Sequence, residues 1–383
     1  MFTFHSPRTT IVGLGAAGRL VEHVRPILGD RILLVTDKNI RRMGLLSGIL
    51  GQLAQSGIAV AVFDDIPAEP PEPCVFAGVH IARTHRATGV LGIGGGSPMD
   101  VAKLIALIGK SGESLAEAYG VSVAKGPRLP LVLVPTTAGT GSEATPVSVL
   151  TTADNEKKAV VSSLLLPDMA ILDAELILGL PRTVTAATGI DAIVHAIEAY
   201  TSVSQNNNPI SKAMAREALR LLGGNLREAF SNGANAAARA QVLLGAHLAG
   251  KAFANSPVAA IHALAYPLGG RFGIPHGLAN ALIMPHVMRF NLPIAARAYG
   301  EIAADLFPEL GTIPEAGRGQ ALVEALVALC AALELPARLS AAGVSEAALP
   351  LLARDAMKQT RLLINNPRPV AEQEAYEIYK AAY

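Results

Sequence analysis

Short apolar runs alternate with helical stretches through the first 180 residues of the chain. RILLVTD (31–37), IAVAVFDD (58–65), GVLGIGGG (89–96) and LPLVLVPTT (129–137) are each rich in leucine or β-branched residues and closed by Gly, Pro or a hydroxyl or acidic residue. That is the pattern of buried strands. Leu45–Ser56 and Val101–Ile108 carry helical spacing between them, and strand, helix, strand in this rhythm predicts a parallel sheet covered by helices. PVSVLTT and KKAVVSS flank Ala153, Asp154 and Asn155 and predict a hairpin inserted in the same domain. After Pro181 the period changes. AATGIDAIVHAIEAYTS, ISKAMAREALRLL, AAARAQVLLGAHLAGKAF and RGQALVEALVALCAAL all space their apolar residues for helices, and the β-branched runs stop. The reading is an α/β parallel-sheet domain over 1–181 followed by an all-α domain over 182–383, with a site expected where the halves meet.

Composition narrows the function. Of 383 residues, 51% are hydrophobic and 16% charged, which supports a large core and excludes disorder as the main state. Lys+Arg 32 against Asp+Glu 31 leaves a net charge of +1, too little for a dedicated nucleic-acid or membrane-surface protein. Cys74 and Cys330 are far apart and in no ligand spacing, which fits a reducing cytosol, and MFTFHSPRTT does not read as a secretory signal. A cytoplasmic protein is expected. The stretch Ala252–Met288 holds only Arg271 as a charged residue, yet Pro257, Pro267, Pro275 and Pro285 break it. It also carries Asn255, His262, His276 and Asn280. Buried helices lining something polar fit it better than a membrane span.

Four constellations carry chemistry. In GGGSPMD an apolar strand runs into Gly94, Gly95 and Gly96, then Ser97, Pro98 and Asp100 predict a capping box with proline at the first helical position. Three consecutive glycines exceed what capping needs and suit close approach to a pyrophosphate at a helix N-terminus. Upstream, Gly13, Gly15 and Gly18 form a rival G-x-G-x-x-G. Asp37 then falls at a strand end, as either a ribose-binding carboxylate or a turn-forming Asp before Lys38 and Asn39. PTTAGTGSEATP (135–146) gathers Thr136, Thr137, Thr140 and Ser142 where open parallel sheets bind ligands. In the helical half, Asp191 and His195 are four apart on one helix face, and His262 and His276 follow in the nearly uncharged stretch. Asp191 and His195 alone also suit an i,i+4 ion pair. With two further histidines the set suits Fe²⁺ or Zn²⁺ with open positions for substrate, and Glu198 is placed to support it.

These residues resemble the iron-containing (group III) alcohol dehydrogenase family over essentially the whole chain. AILDAELILGLPRTVTAATGIDAIVHAIE (170–198) and IHALAYPLGGRFGIPHGLANAL (261–282) are similar to its two long signature segments. GGGSPMD and PTTAGTGSE are similar to its cofactor loops, and NNPRP (365–369) to its C-terminal motif. The resemblance implies a Rossmann-like N-terminal domain, a helical C-terminal domain and an active site in the cleft between them. It implies Asp191, His195, His262 and His276 as metal ligands, and Fe²⁺ as the ion with Zn²⁺ as alternative. Gly94, Gly95, Gly96 and Ser97, with Asp100 in the same motif, would hold the pyrophosphate of NAD, NADP being the lesser alternative. Thr136, Thr137, Thr140 and Ser142 would surround the rest of the coenzyme, and Lys157, with Lys158 beside it, would contact it. The G-x-G-x-x-G rival is thereby demoted. One departure stands out: many members have a histidine four residues after the third ligand, where this chain has Tyr266. A phenol, with an ordinary pKa of about 10, can donate or relay a proton but is a poor base at neutral pH.

The expected activity is hydride transfer between a small alcohol or aldehyde and a nicotinamide, in a homodimer or higher homo-oligomer. Glycerol dehydrogenase-like and maleylacetate reductase-like oxidoreductases stay open within the same superfamily. A dehydroquinate synthase-like lyase is the rival from another reaction class, and metal storage or ligand binding the non-enzymatic one.

Overall fold

The structure, a computed structural model of the chain, describes residues 1–152 and 156–383. They form two compact units. One comprises His5–Thr137 and Gly141–Leu178; the other comprises Met1–Phe4, Ala138–Thr140 and Gly179–Tyr383.

The first unit contains β1 (Thr9–Val12), β2 (Arg31–Val35), β3 (Ala59–Phe63), β4 (Gly89–Gly94), β5 (Gly120–Val121), β6 (Leu131–Pro135), β7 (Val147–Thr151), β8 (Lys157–Val161) and β9 (Met169–Leu172). Its helices are α1 (Leu20–Leu28), α2 (Lys38–Arg42), α3 (Ser47–Gln55), α4 (Glu72–His85), α5 (Gly96–Ser111) and α6 (Leu115–Ala118). Among the described residues the main sheet has six strands in the order β1-β9-β6-β4-β2-β3, every neighbour parallel. Successive side chains of a strand point to opposite faces, and the core divides accordingly. Leu33, Val35, Val90, Leu131 and Leu133 pack with Val79 of α4 and Leu104 and Ile105 of α5. Ile32, Leu34, Leu91, Ile93, Val132 and Val134 pack with Leu20 and Val24 of α1 and Leu53 of α3. Both faces are therefore covered, which is why these strands read as unbroken apolar runs.

From β2 the chain steps outward to β3, then returns and steps from β4 to β6 in the other direction. That reversal between β2 and β4 is the switch point at which such sheets bind ligands, beyond the strands' carboxyl ends. The inserted pair is present, since β7 and β8 run antiparallel with Val149 opposite Ala159, while β5 joins β8 in parallel. The expected turn at 153–155 lies outside the described residues. β9 escaped the sequence reading because its four residues, MAIL, run straight into the helix-like AELILGL.

The second unit is helical: α7 (Arg182–Thr201), α8 (Pro209–Ser231), α9 (Ala236–Asn255), α10 (Ala260–Phe272), α11 (His276–Leu306), α12 (Glu315–Ala332), α13 (Leu349–Ala356), α14 (Thr360–Leu363) and α15 (Glu372–Ala382). α7 packs against α8, α9 and α11. Every residue from Gly189 to Tyr200 is buried, with Asp191, His195 and Glu198 among them. Neighbours come close through glycine. A Cβ on Gly277 would stand 2.3 Å from the Ala187 carbonyl oxygen, so the start of α11 rests directly on α7 and carries His276 with it. Among the described residues no helix is long and apolar enough to cross a membrane.

Candidate metal centre and coenzyme loops

Asp191 and His195 project from the same face of α7, one turn apart, because residues four apart on a helix are neighbours. His262 lies in the first turn of α10, and His276 is the first residue of α11. The fold brings these four together, with one ligand atom from each lying within 4.8 Å of all the others. Asp191 Oδ1 is 3.9 Å from His195 Nε2, 3.8 Å from His262 Nε2 and 3.6 Å from His276 Nε2. Asp191, His195 and His262 are buried, whereas the His276 side chain is 36% exposed and marks the accessible side. Next to it stands Tyr266, its ring 5.7 Å from that of His276.

The electrostatics suit a cation. Burial pushes the His195 imidazole down to about 3 against the opposing pull of Asp191, so its lone pair is free of a proton at neutral pH. Burial alone would raise the Asp191 carboxyl. His195, His276 and His262, with the Asn280 amide, outweigh it and hold the group below its ordinary value. A carboxylate and three imidazoles converging on one point is a donor set for Fe²⁺ or Zn²⁺.

Glu198, one turn beyond His195 on α7, supports this set as expected. Its Oε2 accepts from His262 Nδ1 at 2.6 Å and from the Ala259 N–H at 3.0 Å, and its Oε1 accepts from the Ile261 N–H at 2.7 Å. One carboxylate thus caps the N-terminus of α10, where its charge is favourable. It also fixes His262 in the tautomer whose Nε2 lone pair faces Asp191. His195 is wedged between the rings of Phe253 and His262, at 4.3 and 4.6 Å. The sequence reading passed over Asn280 as a member of this cluster, although it stands one turn after His276.

In the other unit the glycine-rich loop departs from the expected capping box. α5 begins at Gly96 with Gly95 as N-cap and no side-chain cap. Ser97 lies inside the helix, and its hydroxyl donates to the Ala68 carbonyl. Flexible Gly95 and Gly96 let the helix start before the serine, which leaves the first N–H groups of α5 without a capping side chain. Asp100 and Ser142, both expected at the coenzyme, are hydrogen-bonded to each other. Ser142 Oγ donates to Asp100 Oδ1 at 2.6 Å, and the Val149 N–H donates to Asp100 Oδ2 at 2.8 Å. Lys103, fully buried, completes the cluster by donating to the Val147 carbonyl at 2.6 Å and to Thr145 Oγ1 at 3.2 Å. Burial pushes Lys103 down to about 8 against Asp100 and Glu143. This buried knot ties α5 to the loop after β6 and to β7.

Thr136 and Thr137, at the end of β6, have buried hydroxyls without a hydrogen-bond partner, a state that calls for an explanation in a folded protein. Thr36, beside Asp37 at the end of β2, is the same. These hydroxyls follow the strands that flank β4. Ala138–Thr140 belong instead to the helical unit, where Gly139 lies on Thr188 of α7. Asp37 caps α2, its Oδ1 accepting from the N–H groups of Asn39 and Ile40 at 2.8 and 3.0 Å. Lys157 donates to Thr151 Oγ1 at 2.8 Å and pairs with Glu69. The rival G-x-G-x-x-G is already occupied from within. Asp173 accepts from the Gly15 N–H at 3.1 Å and the Ala17 N–H at 2.8 Å, so a side-chain carboxylate sits where a phosphate would have bound.

The deciding observation comes from comparison. The model of the family described as iron-containing alcohol dehydrogenase matches residues 7–174, and that of its C-terminal part matches residues 185–383. The chain belongs to the iron-containing alcohol dehydrogenase family. Among its relatives in that family, long-chain-alcohol dehydrogenase 1 of Geobacillus thermodenitrificans is 39% identical over 98% of this chain and 95% of its own. The 1,3-propanediol dehydrogenase of Citrobacter freundii is 36% identical over 100% and 99%. Of solved structures, a 1,3-propanediol oxidoreductase superposes with a TM-score of 0.95 at 35% identity, over 100% of both chains. A sulfoacetaldehyde reductase from Bifidobacterium kashiwanohense in complex with NAD⁺ does so at 0.86 and 29%, over 100% and 98%.

Within this family the phenol at Tyr266 can be tested without disturbing the ligands. Tyr266→Phe should lower kcat about tenfold or more and alter the pH–rate profile, with the melting temperature nearly unchanged, since only a hydroxyl is lost. Steady-state rates across pH at saturating coenzyme measure this. Wild-type values throughout would mean that the proton leaves by another route.

Proposed function

We propose that the protein is a metal-dependent, NAD-linked alcohol dehydrogenase and aldehyde reductase, with residues 1–181 serving the coenzyme and 182–383 the metal and substrate. The convergence of one carboxylate and three imidazoles, with Glu198 fixing the tautomer of one of them, carries this reading. Asp191, His195, His262 and His276 would hold the ion, Fe²⁺ first with Zn²⁺ as the alternative in a set without thiolate. When bound, that ion supplies positive charge for a substrate oxygen.

The chain's own groups do the rest. Tyr266, beside the accessible histidine, donates or relays the proton of the substrate oxygen. Gly94, Gly95 and Gly96 with the uncapped start of α5 receive the coenzyme's pyrophosphate, and Thr136 and Thr137 offer unpartnered hydroxyls. Ser97 and Lys157 join the coenzyme by exchanging their present partners, Ala68 and Glu69, for it. Thr140 completes the set from its segment, while Asp100 and Ser142 shape the loop. The Asp37 carboxylate keeps one oxygen beyond its capping bonds for a ribose hydroxyl. Relatives named for long-chain alcohols, 1,3-propanediol and methanol favour simple alcohols and their aldehydes as substrates. Unpaired Cys74 and Cys330 support a cytoplasmic setting, where a homodimer or higher homo-oligomer is expected.

The test is a spectrophotometric screen of short and long alcohols, diols, hydroxy acids and aldehydes with both coenzymes. Net NADH accumulation with an alcohol is the expected result; a lyase that borrows NAD transiently would show none. In the same assay Asp37→Gly should raise NADP(H) use relative to NAD(H) about tenfold or more, as expected if roughly 1.4 kcal/mol of charge repulsion is removed. An unchanged coenzyme ratio would remove Asp37 from the ribose site.

A further inference from the structure

We propose that Asn280 is a positioning residue of the metal centre, its amide presetting Asp191, His262 and His276 so that their lone pairs meet at one point. The inference rests on the reading of those residues as metal ligands.

Asn280 is fully buried on α11, one turn after His276 and on the same face. Its Nδ2 donates to Asp191 Oδ1 at 2.7 Å and lies 3.3 Å from both His262 Nε2 and His276 Nε2. Its Oδ1 is buried without a partner. The neighbours decide which way the amide points. Turned around, its oxygen would lie 2.7 Å from a carboxylate oxygen, so the nitrogen belongs on the ligand side.

An orphaned buried acceptor destabilises a fold, and a leucine of similar size would not carry that cost. What the amide contributes is therefore on its nitrogen side. One N–H draws the Asp191 carboxylate of α7 towards α11. The other faces imidazole nitrogens that must carry lone pairs if they are to bind an ion. At His262 two restraints agree: Glu198 takes the proton side of the ring, and Asn280 offers a donor to the opposite nitrogen. A ligand set held in this way needs less rearrangement when the ion arrives.

The experiment uses the full chain, stripped with chelator and titrated with Co²⁺, whose visible absorption reports ligand geometry. Asn280→Leu and Asn280→Ala should bind Co²⁺ about 10- to 100-fold more weakly in chelator competition and show a changed absorption envelope. NADH binding, followed by fluorescence, should keep its wild-type affinity. Both variants should still melt cooperatively when stripped, since Asn280→Leu loses the orphaned oxygen together with the donor to Asp191. Wild-type Co²⁺ affinity and spectrum in both variants would overturn the assignment. Failure of the wild-type chain itself to bind Co²⁺ would overturn the metal reading and this inference with it.

Discussion

Exhaustive chelation should abolish turnover and lower the melting temperature of the helical unit by roughly 10 °C. The candidate ligands come from three helices, α7, α10 and α11, so a bound ion would add a further tie to the packing and the hydrogen bonds of Glu198 and Asn280 that already join them. Anything that binds the native state alone adds RT ln(1 + [L]/Kd), about 4 kcal/mol at a thousandfold excess over Kd. On a unit of this size each kcal/mol moves the transition by roughly 2–4 °C. The activity loss follows from the charge withdrawn from the substrate oxygen, where several kcal/mol correspond to roughly a thousandfold in rate. Restoring Fe²⁺ without oxygen, or Zn²⁺, should recover part of both properties. His262→Ala should behave as the stripped enzyme does while still binding NADH. Full activity after chelation, with the absence of metal verified by elemental analysis, would reduce the four residues to a buried polar cluster.

Glu198→Gln should be the most damaging substitution among residues that touch no ligand of the reaction. The carboxylate accepts three hydrogen bonds, from Ala259, Ile261 and His262. A glutamine has one oxygen for the same three donors. With that oxygen facing His262, its amide confronts the Ile261 N–H; turned over, it confronts the Ala259 N–H and forces the imidazole proton to the other nitrogen. Each unpaired buried donor costs about 1–3 kcal/mol, and the reversed tautomer removes the lone pair facing Asp191. Metal affinity should fall about 10- to 100-fold, as is usual when the partner of a ligating histidine is lost. Glu198→Ala should also cost about 3–5 kcal/mol of stability, since no acceptor remains at the start of α10. Metal titration and thermal melts read the two effects separately. Wild-type metal affinity in Glu198→Gln would show that the tautomer is set elsewhere.

The glycine motifs show how local pattern and tertiary context part company. Gly13, Gly15 and Gly18 satisfy a phosphate-loop spacing, yet the N–H groups of Gly15 and Ala17 in that loop meet Asp173, a residue far along the chain that no spacing rule could place there. Ser97 and Asp100 satisfy a capping-box spacing, yet both side chains go to distant partners, the Ala68 carbonyl and the Ser142 hydroxyl. In each case the short-range signal was real as a preference, and a long-range hydrogen bond outcompeted it.

What the sequence determined alone was the material carried by period and by residue type. Unbroken apolar runs specify strands buried on both faces, helical spacing after residue 181 specifies an all-helical half, and Asp191 with His195 must share a helix face because they are four apart. The histidines of the nearly uncharged stretch announced a buried polar centre. The tertiary structure alone decided which groups meet. The capping of α10 by Glu198, the amide of Asn280 beside Asp191, His262 and His276, and the tie of Asp100 and Lys103 to Ser142 and Thr145 join residues far apart in the chain, brought together by packing. The reason is physical: periodicity is a property of neighbours along the chain, whereas the satisfaction of a buried polar group depends on whatever the fold places within about 3 Å of it.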